Sequence, residues 1–313
     1  MSRGVRKRAP VIPLLSAALL LLQAVISVHT ELVTVPVTVT DARGRHVVGL
    51  GREHFRVFED GRPRPIAVFH YGDAPLTLGL VVDRSQSMRQ KRAALQTAVS
   101  ALLQSSRPDD ELFAVGFNDS VTFALAGGRP FTNDVREIET ALYAIPAGGR
   151  TALYDGLAEA LQHLQLGHAG RKALVLVSDG GDNASLETSA RILALARQSN
   201  TVIYAIGLLG TSVALGTSVA EEEEDAGLLT RLCKDTGGVA YFPRSAEDIL
   251  AASTAVARDL REQYTLGFEP GPRTDGRPFR RIDVKVTADG HGRLHVRTRS
   301  GYLVAGVRDD ETP

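Results

Sequence analysis

The sequence predicts an α/β protein: a doubly wound, mainly parallel sheet with helices on both faces, joined to a small β domain made from the two flanks. Three observations lead there. Short, continuously apolar segments such as LTLGLVV and ALVLV suit strands buried on both faces of a parallel sheet. Amphipathic stretches long enough for crossover helices lie between them. On either side of this region, ELVTVPVTVTD and RRIDVKVTADG alternate apolar and polar residues with the period of half-buried strands.

Read in order, residues 1–30 stand apart. Arg3, Arg6, Lys7 and Arg8 precede an apolar run from Val11 to Val28 that ends among small residues, the order of a secretory signal. Cleavage near Ser27 or Thr30 is expected, leaving 32 basic against 36 acidic side chains and an exported chain of net charge −4. An uncleaved inner-membrane anchor over 11–28 is the alternative, because the run approaches the roughly 20 residues that span a bilayer. Either way the protein is expected outside the cytoplasm, in the periplasm or beyond.

Residues 31–74 form the N-terminal β segment, with HFRVFED and RPIAVFHY as strands and Asp60-Gly61 as a hairpin turn. Over 75–261 the α/β pattern runs as strand Leu76–Val82, helix Met88–Ser105, strands Glu111–Phe117 and Val121–Ala126, and helices Asn133–Tyr143 and Ala152–Leu164. Strand Ala173–Val177, helix Leu186–Gln198, strand Val202–Ile206, helix Gly227–Thr236, strand Val239–Phe242 and helix Ala246–Arg261 complete it. The doubled GTSVA at 210–214 and 216–220, ending in Glu221–Asp225, reads as a solvated loop before a helix. Residues 262–304 return to strands expected to pair with the N-terminal ones, since neither flank alone makes a stable sheet, and 305–313 form a tail.

Composition narrows the function. Lys plus Arg equals Asp plus Glu at 36 each, and no basic stripe interleaved with aromatics appears, which argues against a nucleic-acid partner. A single cysteine, Cys233, excludes an internal disulfide and a thiolate metal site, and reads as a small buried helix residue. None of the eight histidines falls in a metal-ligand spacing.

The chemistry-bearing residues sit where strands stop, the edge at which open α/β sheets bind ligands. Asp83, Ser85 and Ser87 follow the first buried strand, Thr151 closes the loop Gly148-Gly149-Arg150, and Asp179 follows the strand ALVLV. Hydroxyl and carboxylate oxygens without nitrogen or sulfur suit a hard cation, Mg²⁺ or Mn²⁺, that keeps an open position for an incoming carboxylate. Asp182 and Asn183 are candidates for the shell around these ligands, and Arg150 for the rim that steers an acidic group. Taken singly, the serines and Thr151 are equally suited to capping the helices that follow, and Asp179 to closing a turn.

DRSQSM, GGRTALYDGL and LVLVSDGGDN, in this order, resemble the von Willebrand factor type A domain with its metal-ion-dependent adhesion site. The resemblance covers 75–261 and implies a D-x-S-x-S, loop-threonine and aspartate ligand set at Asp83, Ser85, Ser87, Thr151 and Asp179, with Gln86 where the family often has glycine. The flanks VPVTVTD, FRVFEDG, EQYTLGFEP and RSGYLV look like those of exported, VWFA-related proteins of acidobacteria. The implied function is metal-dependent adhesion: an exported binding module whose protein ligand offers an Asp or Glu. The competing readings are a metal-assisted hydrolase or phosphotransferase, with Asp182 as its one candidate base, and a metal-free structural envelope protein. Neither a G-x-S-x-G elbow nor a P-loop is present to favour catalysis.

Overall fold

The computed structural model describes residues 32–72, 74–179, 181–208, 219–272 and 277–304. The expected signal segment, the tail and most of the doubled GTSVA segment lie outside the described residues. The β flank opens with β1 (Val33–Thr40), β2 (Phe55–Glu59), β3 (Arg62–Arg64) and β4 (Ile66–Tyr71). The α/β body follows as β5 (Leu76–Asp83), α1 (Arg92–Leu103), β6 (Glu111–Phe117), β7 (Val121–Phe123), α2 (Val135–Ala144), α3 (Leu153–His163) and β8 (Arg171–Ser178). It ends with α4 (Ser189–Gln198), β9 (Thr201–Gly207), α5 (Val219–Thr236), β10 (Ala240–Tyr241) and α6 (Ala246–Glu262). Four further strands return to the flank: β11 (Tyr264–Phe268), β12 (Phe279–Val286), β13 (His295–Thr298) and β14 (Gly301–Leu303).

The central sheet has the order β10-β9-β8-β5-β6-β7, parallel throughout except for β7, which runs antiparallel to β6. Every residue of β5 is buried, as its apolar run requires. Leu76, Leu78, Leu80 and Val82 face a core completed by α1, α2 and α6, while Val81 joins Phe113, Leu174 and Leu176 in a second core under α3, α4 and α5. Two separate cores on opposite faces are the physical meaning of the doubly wound prediction. Cys233 is buried in the second of them. A side chain at Gly79 has no room, because its Cβ would lie 2.3 Å from the Phe113 ring and 2.5 Å from a Leu174 methyl.

The flanks do pair across the sequence. β1 is antiparallel to both β11 and β13, and β12 to β2. They make two four-stranded sheets, β13-β1-β11-β4 and β14-β12-β2-β3, over a shared core of Val35, Val37, Phe55, Val57, Tyr264, Leu266, Phe268, Ile282 and Val284. The predicted strand RPIAVFHY loses its first residue, Arg64, to β3 in one sheet, while Ile66–Tyr71 forms β4 in the other. Asp60 and Gly61 both take positive φ, 48° and 78°, the requirement of the tight hairpin they were expected to form.

Three helix boundaries differ from expectation. The helix predicted from Met88 begins as a 3₁₀ turn over Ser87–Lys91. The helix predicted from Leu186 starts only at Ser189, because Thr188 caps it and the amides of Leu186 and Glu187 are bound instead by the Asp155 carboxylate. Conversely α5 already includes the acidic run at Glu221–Asp225, whose glutamates are good helix formers that the doubled segment had masked in the sequence.

An ionic cluster bolts the β flank to α6. His46 places its ring nitrogens 2.9 Å from Asp259 and 3.0 Å from Glu262, and Arg297 on β13 bonds the second Asp259 oxygen. Burial pushes the Asp259 carboxyl up, but His46 and Arg297 outweigh it and hold the group below its ordinary 3.8. A depressed carboxyl contributes stability that is present above the unfolded value and lost as pH falls through the folded one. Asp259→Asn is therefore expected to cost about 3 kcal/mol at neutral pH by stranding Arg297. Denaturant melts should show this difference shrinking below pH 4; a pH-independent gap would contradict the assignment.

Candidate metal centre

Three segments converge at the carboxyl edge of the central sheet, and the backbone stitches them together. Gln86 N–H donates to Gly149 O at 3.0 Å and Gly148 N–H to Arg84 O at 2.7 Å, joining the D-x-S-x-S turn to the glycine loop. Asn183 N–H and Ala184 N–H both donate to Thr151 O, at 3.0 and 3.1 Å, joining that loop to the segment after β8. Gly149 needs to be glycine: its φ is +82° and a Cβ would lie 1.8 Å from the Asp119 carboxylate. Gln86 does not: its φ of −60° and ψ of −37° are ordinary helical values, so replacing glycine there costs no strain.

Asp83 ends β5 fully buried. One of its oxygens accepts from Ser85 N–H and the other from the Ser178 hydroxyl, each at 2.8 Å. Burial, followed by the negative charge of Asp179, pushes its carboxyl up to about 7 against these hydrogen bonds. Two carboxylates so placed, one of them fully buried, form an electrostatic deficit that a cation relieves. Ser85 Oγ and Ser87 Oγ are 2.9 Å apart, and Thr151 is buried at the neighbouring segment. Neither serine caps the turn that follows, and α3 is capped at Ala152 without a side-chain bond. The hydroxyls are thus not consumed by the local structural work that the sequence alone left open.

The work of capping α3 falls to the segment beyond Asp179. Asp182 accepts from Tyr154 N–H at 3.2 Å and Ser185 Oγ from Asp155 N–H at 3.1 Å, while Asn183 accepts from Thr151 N–H at 2.9 Å. Asp155 returns the favour by accepting from Leu186 and Glu187. This reciprocal clamp fixes Thr151 relative to Asp179, and explains Asp182 and Asn183 as organisers of the loop. Arg150 lies at the exposed rim and pairs with Asp119 at 3.1 Å.

Sequence reasoning missed Ser178, Lys91, Asp155 and Leu186. Lys91 reaches Asp179 Oδ2 at 3.1 Å from the turn after Ser87. Leu186 is 96% exposed at the tip of the clamped loop. Ser178, between ALVLV and Asp179, was the one with a local signal, a hydroxyl beside a candidate ligand.

The donor set fits a hard cation: two carboxylates and three hydroxyls, all oxygen, on segments fixed to one another. Among the described residues no group of three or more His, Cys, Asp or Glu side chains is placed to hold a metal.

Fold and site together define an open α/β domain with an oxygen-only site at the carboxyl edge of its strands. Residues 78–181, the stretch from β5 to just past Asp179, match the family described as the von Willebrand factor type A domain. A curated relative, an uncharacterized protein of Borreliella burgdorferi, is 26% identical over 150 residues, covering 44% of this chain and 43% of its own length. The chain thus spans under half the length of that relative. Among solved structures, a von Willebrand factor type A protein from Catenulispora acidiphila is 13% identical, with 88% of this chain and 75% of that one covered and a TM-score of 0.48. The vWF domain of the type V pili tip protein Mfa5 from Porphyromonas gingivalis is 13% identical, covering 64% and 99%, with a TM-score of 0.47. The PilB minor pilin from Streptococcus sanguinis is 14% identical, covering 64% and 63%, with a TM-score of 0.43.

Proposed function

We propose that this chain is an exported, non-enzymatic binding module that holds Mg²⁺ or Mn²⁺ at the sheet edge and uses it to recruit a protein ligand through an Asp or Glu side chain. Ser85, Ser87 and Thr151 supply hydroxyl oxygens, and Asp83 and Asp179 supply charge. The ion, when bound, offers a coordination position to the ligand's carboxylate. The observation that carries the reading is the convergence of three cross-bonded segments whose hydroxyls cap no helix.

Catalysis finds no support in the same geometry. Asp182, the one candidate base, has its Oδ1 engaged by Tyr154 N–H and by the Ser185 hydroxyl. A group holding two donors is a poor proton acceptor for substrate. Export is consistent with the leader-like residues 1–30. No described helix is long and apolar enough to cross a membrane.

Calorimetric titration with Mg²⁺ and Mn²⁺ tests the proposal. We expect one ion per chain, removable by EDTA, and raised thermal stability in its presence. An absence of uptake and of any thermal shift at millimolar metal would defeat it.

A further inference from the structure

Lys91 is a buried cation at the heart of the site. Its side chain is 7% exposed, and its ammonium donates to Asp179 Oδ2 at 3.1 Å and to Leu208 O, just beyond β9, at 2.8 Å. Burying an ammonium is costly unless it is paired, so its position here needs a reason. Other basic side chains of the same edge are directed elsewhere. Arg84 bonds Ile145 O, Arg89 approaches only Gln86, and Arg150 pairs with Asp119. Among the described residues, Lys91 is the basic side chain that ion-pairs with a candidate ligand, whereas Arg84 acts on Asp83 through its charge without a direct bond.

The charge arithmetic has a consequence for binding. Two carboxylates would neutralise a dication, leaving it little pull on a third. With Lys91 present, the protein contributes one net negative charge rather than two. The loaded site then keeps an excess positive charge, and a partner's carboxylate removes it.

Building on the ion-dependent reading above, we propose that Lys91 is a resident counter-charge: it weakens the site's hold on the ion and preserves the loaded site's attraction for an external carboxylate. It is a positioning residue, and it contacts the Asp179 ligand rather than the ion.

The test is Mn²⁺ affinity, measured by calorimetry and by the loss of the free-ion electron paramagnetic resonance signal, in full-length wild type, Lys91→Met, Lys91→Gln and Lys91→Arg. Removing the charge in Lys91→Met and Lys91→Gln is expected to tighten Mn²⁺ binding about tenfold, the scale of one unit charge acting on a nearby dication through water-like screening. Lys91→Arg, which keeps the charge, is expected to match wild type within about threefold. Glutamine retains a donor for Asp179 and Leu208, so it covers the case in which methionine unfolds the edge. A merely structural lysine gives the opposite sign, because losing its bonds loosens Asp179 and weakens the metal.

Neutral variants that bind Mn²⁺ no more tightly than wild type overturn this inference while leaving the ion-dependent reading intact. If wild type and all three variants take up no Mn²⁺, both fall together.

Discussion

Asp83→Asn and Thr151→Ala are each expected to leave a folded protein that has lost its metal. Asparagine keeps an acceptor for Ser85 N–H or the Ser178 hydroxyl, both now bound to Asp83. It removes a charge that burial and Asp179 disfavour, so the apo variant is expected to melt no lower than wild type. Its Mg²⁺ affinity should nevertheless fall by about 100-fold, the upper end of what altering a metal's immediate surroundings costs. Thr151→Ala takes away a hydroxyl that caps nothing, while the bonds made by Thr151 N–H and O remain. A function-specific residue behaves in this manner: stability is retained and binding is lost. Calorimetry and thermal melts on the same samples separate the two quantities. Retained metal binding in Asp83→Asn would remove Asp83 from the site.

Gly79→Val is expected to be strongly disruptive to the α/β body. Valine favours strands in general, yet at this position its Cβ must displace the Phe113 ring and a Leu174 methyl at the centre of the second core. Overpacking of a close-packed interior costs about 3 kcal/mol when the neighbours have nowhere to go. For a body of this size that corresponds to roughly 10 °C in melting temperature. Phe113→Leu shortens the obstructing ring, so Gly79→Val combined with Phe113→Leu should recover part of the loss. Purely additive losses in the double variant would show that the ring is not what the new methyls meet.

Much of the fold was legible because burial on both faces writes itself into the sequence. The runs around Leu76–Val82 and Ala173–Val177 have no other economical explanation, and the strand ends fix where Asp83 and Asp179 fall. What the sequence could not convey is pairing across distance. Lys91 and Asp179 are 88 residues apart, and Asp83 and Ser178 are 95 apart, so no local pattern announces either contact. The clamp between Asp155 and Leu186 had the same invisibility, and it displaced the start of α4. The flanks predict one small β domain without its division into sheets, because alternation reports a half-buried face without saying which sheet supplies the other half. The split at Pro65 and the shared core of two sheets emerge only when both flanks are in place.

The pairing of β1 also governs how the protein is made. Its neighbours β11 and β13 come from the far side of the α/β body, and even the loop behind it, at Leu50, waits for the Tyr264 hydroxyl 214 residues later. During synthesis β1 therefore emerges as an orphan strand with two open edges, while the α/β body has everything it needs to close first. Contacts of such long range form slowly. β1 thus waits for strands more than 220 residues further along the chain, and its open edges need shielding from other chains until those strands arrive.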